Sequence, residues 1–220
     1  MGKTIHFATP NGGEVSGYLA RAAGSTKNVI VIQEWWGLNK QICGVCDRFA
    51  AVGFNALAPD LYKGRVTEDP DEANHMMSGL DWTGATEQDV RGAVQHLKAD
   101  GGKVAVMGFC MGGALTIIAS VKIPELDAAV CFYGIPPTEA ADPARIVVPL
   151  QSHFANQDDW CTPATVDAFE TTLKQAGVHY ELFRYEAQHG FFNEQRPEVH
   201  DRDVSNLAWE RMLGFLNTHL

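Results

Sequence analysis

Short apolar runs that alternate with amphipathic helical patterns constrain this chain most. Residues 28–33 (NVIVIQ) form a continuous apolar strand, the kind found where helices cover both faces of a parallel sheet. A helical pattern follows, with Ile42, Val45, Phe49 and Val52 on one face and Gly53 placed to end it. Residues 55–58 make the next strand, and residues 86–99 a helix with Val90, Ala93, Val94 and Leu97 inward. The pattern continues through strand 103–107, helix 111–121 and strands 128–133 and 148–154. A helix opened by Pro163, strand 179–185 and helix 203–219 complete it. Only the opening departs. Residues 4–8 and 14–21 are strand-like, and Pro10-Asn11-Gly12-Gly13 between them reads as a hairpin turn. The expectation is an α/β chain in one domain, residues 1–220, with a mainly parallel central sheet and helices on both faces.

Charge and composition exclude several function classes. Seventeen Lys and Arg stand against 27 Asp and Glu, for a formal net charge of −10. Such a surface repels a phosphate backbone, so no nucleic-acid partner is expected. No run approaches the length of a membrane span, and the N-terminal residues lack the apolar stretch of a secretory signal, so the expected location is cytoplasmic, with no membrane partner. The five cysteines, Cys43, Cys46, Cys110, Cys131 and Cys161, are odd in number and fit reduced thiols.

The strongest local signal is Gly108-Phe109-Cys110-Met111-Gly112-Gly113, lying between strand 103–107 and helix 111–121. Strand, tight turn and helix in that order are the context of a nucleophile elbow. Glycines at 108 and 112 relieve collisions across the turn, and the sulfur of Cys110 projects above the sheet. The backbone N–H of Met111, at the helix start, can act as an oxyanion donor. The alternatives are a Gly-rich phosphate loop or a plain turn holding a buried cysteine.

An elbow implies an acid and then a histidine, each after a later strand, in an α/β-hydrolase fold. Two adjacent aspartates, Asp158 and Asp159, follow strand 148–154. Asp159 lies nearer the helix start and takes the role, although a helix cap would explain it nearly as well. His189 follows the last strand, with Gly190 permitting a sharp loop. In this reading His189 takes the thiol proton, Asp159 orients the imidazole and Cys110 forms an acyl-enzyme.

These residues, together with Gln33-Glu34-Trp35-Trp36-Gly37, Ala58-Pro59-Asp60-Leu61-Tyr62 and Thr162-Pro163, resemble the dienelactone hydrolase (carboxymethylenebutenolidase) family over nearly the whole chain. The resemblance implies hydrolysis of small esters or lactones, with no cofactor. It favours Asp159 over Asp158 through its spacing to Thr162-Pro163. It adds Glu34 as a group that contacts the resting thiol, and the backbone N–H of Trp35 as the second oxyanion donor. It also implies arginines that hold a substrate carboxylate, one of them four residues after the histidine. That position is Asn193 here, and residues 66–90 contain no Arg or Lys, so neutral substrates are expected.

Trp36, Trp160, Phe191 and Asn193 are the expected substrate contacts; a core role would suit the aromatic ones equally. Cys43 and Cys46 form a Cys-x-x-Cys within a helix, with no second pair at zinc spacing, so they read as helix thiols and no metal site is expected. Competing functions are a thioesterase or peptidase of the same fold, a non-catalytic ligand-binding relative, and a thiol oxidoreductase using Cys43 and Cys46.

Overall fold

The computed structural model describes all 220 residues, Met1–Leu220. Its eight strands are β1 (Lys3–Ala8), β2 (Glu14–Ala20), β3 (Lys27–Ile32), β4 (Asn55–Pro59), β5 (Lys103–Phe109), β6 (Ala128–Phe132), β7 (Leu150–Gln157) and β8 (Tyr180–Gln188). They form one sheet in the order β1-β2-β4-β3-β5-β6-β7-β8. β1 and β2 pair antiparallel, as do β2 and β4, and every later pair is parallel. This is the α/β-hydrolase arrangement with a hairpin at its edge.

The apolar runs are continuous because both sheet faces are buried. Along β3, Ile30 and Ile32 join one core, while Val29 and Val31 join the other. β5 repeats the division, with Val104 and Val106 on one side and Ala105, Met107 and Phe109 on the other. Each fully buried side chain of this size contributes about 1.5–3 kcal/mol, so the two layers fix the register of the central strands.

The helices are α1 (Lys40–Ala51), α2 (Pro70–Ser78), α3 (Trp82–Gly84), α4 (Arg91–Ala99), α5 (Met111–Lys122), α6 (Pro163–Ala176) and α7 (Arg202–His219), with a π-helical turn, Ala85–Val90, joining α3 to α4. Thr162 caps α6 and Pro163 occupies its first turn. α2 was not expected from apolar periodicity, because only Ala73 and Met76 are buried on it. Its start is nonetheless well marked: the Asp69 carboxylate accepts from the N–H groups of Asp71 and Glu72, and Pro70 follows the cap.

Candidate active site

Four adjacent strands each deliver their first following residue to the same sheet edge. Cys110 follows β5, Tyr133 follows β6, Asp158 follows β7 and His189 follows β8. Carboxyl ends of parallel strands converge there, which is where open α/β sheets place ligands.

Cys110 sits at φ 56° and ψ −117°, a conformation rare for a residue with a side chain. Holding it costs about 1–3 kcal/mol, which the surroundings supply. Its N–H donates to the Phe132 carbonyl at 3.0 Å, and its carbonyl accepts from Ala114 N–H at 3.0 Å. A Cβ at Gly108 would lie 2.2 Å from the Gly112 carbonyl oxygen, and one at Gly112 would lie 2.5 Å from that of Ile32. The elbow expected from the glycine pattern is therefore present. Met111 opens α5, so its N–H has no intrahelical acceptor.

His189 Nδ1 lies 2.7 Å from Asp158 Oδ2. Asp158 is the residue that meets the histidine; Asp159 is exposed and makes no such contact. β7 runs to Gln157 rather than to 154, so the first residue past the strand is Asp158. Its other oxygen accepts from the N–H groups of Trp160 at 2.7 Å and Cys161 at 2.9 Å. That turn buries the Asp158 carboxylate and directs Asp159 to solvent. Burial alone would raise the Asp158 carboxyl, but the hydrogen bonds from His189, Cys161 and Trp160 outweigh it and hold it below the ordinary carboxylate range.

On the other side of the ring, His189 Nε2 is buried and makes no well-formed hydrogen bond. Burial would favour the neutral imidazole, yet Asp158 and the neighbouring Cys110 thiol together push its pKa up to about 10. The ring packs edge-on against Tyr133, with centroids 5.0 Å apart, and lies 6.3 Å from Trp160. A base held this way can receive a proton on Nε2 while Nδ1–H remains on the carboxylate.

Glu34 lines the same cleft as Cys110, but it makes no hydrogen bond to the thiol. Its carboxylate accepts from Tyr133 Oη at 3.1 Å and from Asn193 Nδ2 at 2.6 Å. Burial raises its pKa against these two hydrogen bonds and the nearby His189 and Arg196. Asn193 is thus a buried partner of Glu34 as well as part of the cleft wall. Tyr133 adopts φ 37° and is fully buried; the sequence pattern places it inside the strand 128–133, whereas β6 ends at Phe132.

The cleft has a volume of about 440 Å³. Trp35, Trp36, Met77, Trp82, Ile135 and Trp160 supply much of its apolar wall. Phe191, expected among the substrate contacts, is not part of it. It is wholly buried against Phe132, Tyr133 and Tyr185, because its carbonyl ties it to Ser205 and Asp201 at the start of α7. Arg196, which the sequence did not single out, lines the cleft instead. Its guanidinium lies 5.3 Å from the Trp36 ring centroid and its Nε donates to Glu198.

The dienelactone hydrolase family matches residues 15–220. Protein usf of Aquifex pyrophilus is 34% identical over 231 positions, covering 100% of each chain. A candidate carboxymethylenebutenolidase of Aquifex aeolicus (strain VF5) is 32% identical with the same coverage. Among solved structures, a candidate dienelactone hydrolase from Klebsiella pneumoniae subsp. pneumoniae MGH 78578 superposes with a TM-score of 0.85. It is 26% identical, and the match covers 99% of each chain. With matches along the full chain and the nucleophile turn, histidine and buried carboxylate gathered at one strand edge, the chain belongs to the dienelactone hydrolase family.

Proposed function

We propose that this protein hydrolyses small esters or lactones by covalent catalysis through Cys110. The observation that supports it is the delivery of a thiol, an imidazole and a buried carboxylate to one apolar cleft by three strand ends. His189 Nε2 holds the proton drawn from Cys110, so the sulfur attacks the carbonyl carbon as a thiolate paired with imidazolium. The carbonyl π electrons move to oxygen, and the backbone N–H groups of Met111 and Trp35 stabilise the oxyanion. Collapse of the intermediate breaks the bond to the leaving alkoxide, which takes the proton from His189. In a lactone that alcohol stays tethered to the acyl group. Water then attacks the thioester, giving its proton to His189, and the acid departs as the thiol is restored. Asp158 holds Nδ1–H throughout, which keeps Nε2 free to exchange the proton.

Glu34 acts on this chemistry through charge. Held by Tyr133 and Asn193, it places a carboxylate near the imidazolium formed in each half-reaction. The tryptophan-rich wall suits a flat apolar substrate body. Arg196 adds one guanidinium, whose terminal nitrogens remain free of Glu198. An acidic group on the substrate therefore has a partner at this end of the cleft, and carboxylated substrates are accepted alongside neutral ones.

The test is replacement and selective labelling. Cys110→Ala should keep its fold and lose about 10⁴-fold or more in kcat/KM on an activated ester. Iodoacetamide should modify Cys110 before the other four cysteines. Cys46, Cys131 and Cys161 are buried, and burial with the Asp47 charge pushes Cys43 up to about 11. Wild-type turnover by Cys110→Ala would overturn the proposal.

A further inference from the structure

A second cleft, of about 470 Å³, lies outside the hydrolytic site. One side is the loop after β4, including Leu61, Lys63 and Arg65; the other is the segment from the end of α2 to the π-helical turn, including Met76, Asp81 and Asp89. It shares a wall with the substrate cleft. Met77 and Trp82 face the substrate cleft, whereas Met76, Leu80 and Asp81 face this one. Tyr62 lines the second cleft, and its hydroxyl donates to Met111 Sδ at 3.1 Å.

Two opposite charges line this cleft without a direct hydrogen bond or ion pair: Lys63, which is exposed to solvent, and Asp89, which feels the Lys63 charge. The Lys63 ammonium forms no ion pair or hydrogen bond, and its backbone is held at φ 54°. The Asp60 carboxylate imposes that conformation by accepting from the N–H groups of Tyr62 at 3.2 Å and Gly64 at 2.6 Å. Asp89 is half-buried and equally unpaired. It lies on the π-helical turn Ala85–Val90, a rare form that recurs at functional sites. Burial pushes the Asp89 carboxyl up to about 6; Lys63 opposes the rise, while Asp81 and Asp60 add to it. Asp81 spends one oxygen on Gly84 N–H and keeps the other. Arg65 is paired with Glu72. Leu61, Met76, Leu80 and Ala85 line the same cleft, with Leu61, Met76 and Ala85 largely buried.

We propose that this cleft binds a small zwitterion of the α-amino-acid type. Its ammonium would sit on Asp89 and Asp81, its carboxylate on Lys63, and its apolar side chain against Leu61, Met76 and Leu80. A ligand carrying both charges satisfies both unpaired groups, whereas a simple amine would leave Lys63 unpaired and a simple acid would leave Asp89 so. The assignment is independent of the chemistry at Cys110.

Calorimetric titration of the whole protein with L-leucine, L-leucinamide and N-acetyl-L-leucine tests this. L-Leucine is expected to bind with a measurable heat, and each derivative, having lost one charge, about tenfold or more weakly. Lys63→Gln and Asp89→Asn should each weaken L-leucine by about tenfold or more for the same reason, while Trp160→Ala, in the substrate cleft, leaves its binding unchanged. No heat with L-leucine, or equal affinity for either derivative, would overturn the proposal on the wild-type protein alone. Binding lost with Trp160→Ala but kept with Asp89→Asn would overturn it by placing the ligand in the substrate cleft.

Discussion

Replacing Asp158 with Asn should disable the base without disturbing the fold around it. Asp158 uses one oxygen to accept from Trp160 and Cys161 and the other, at 2.7 Å, to meet His189 Nδ1. An asparagine keeps its amide oxygen for the two backbone donors, so its NH₂ group falls opposite Nδ1. Two donors cannot face each other, and the imidazole responds by carrying its proton on Nε2. That nitrogen then cannot accept the thiol proton. The same exchange in a serine-protease triad costs about 10⁴-fold in kcat, equivalent to ~5.5 kcal/mol of transition-state stabilisation. Asp159 is exposed and meets no catalytic group, so Asp159→Asn should stay within about twofold of wild type, as surface substitutions usually do. Steady-state hydrolysis of an activated ester by both variants, with thermal unfolding as a control, decides the matter. Near-wild-type kcat in Asp158→Asn, or a larger loss in Asp159→Asn, would refute the argument.

Three further outcomes are expected. Arg196→Ala should raise KM for a carboxylated ester by about tenfold or more while barely moving that of its methyl ester, since only the acid loses a charge-assisted hydrogen bond; equal effects would remove Arg196 from substrate recognition. Tyr133→Phe deletes one of the two hydrogen bonds to Glu34, so the Glu34 carboxyl should rise further and the acid limb of the kcat/KM profile should move to higher pH; an unchanged limb would separate Glu34 from catalysis. His153 is fully buried between Tyr185 Oη and Gln151 Oε1, and burial, helped by Arg211, lowers its pKa to about 3. Between about 3 and the ordinary value of 6.5 the unfolded chain binds the extra proton. Stability should therefore be complete above 6.5 and fall by up to ~1.4 kcal/mol per pH unit below it. Urea unfolding across this range should show that slope in wild type and not in His153→Gln; parallel slopes would contradict it.

Most of the fold was legible because each central strand buries both faces and so carries an uninterrupted apolar run. The turn at Cys110 was legible for a related reason: it directly follows such a strand, and close approaches at Gly108 and Gly112 leave a glycine signature around the thiol, whereas His189 follows the edge strand β8, whose run is broken by Glu181, Arg184 and Glu186. The acid was not. β7 continues through polar Asn156 and Gln157, across a register irregularity against β8, and hydropathy ends the strand three residues early. With the strand end misplaced, spacing to Thr162-Pro163 selected the exposed Asp159. Phe191 misled in the opposite way. An aromatic residue two positions past the histidine resembles a pocket wall, but the bond from Ser205 to its carbonyl turns it into the core. Arg196 and Tyr133 depend on loop paths and backbone torsions, which leave no periodic trace. Cys43 and Cys46 lie within α1, and burial raises both thiols. No helix is long and apolar enough to cross a membrane.

The central claim is a covalent acyl–Cys110 intermediate, and rapid-quench mass spectrometry during turnover of a slowly deacylating ester tests it most directly. The intact protein should gain the mass of one acyl group, peptide mapping should place it on Cys110 alone, and hydroxylamine should remove it as expected of a thioester. An adduct on any other residue, or undiminished hydrolysis with no adduct in Cys110→Ser, would contradict the account.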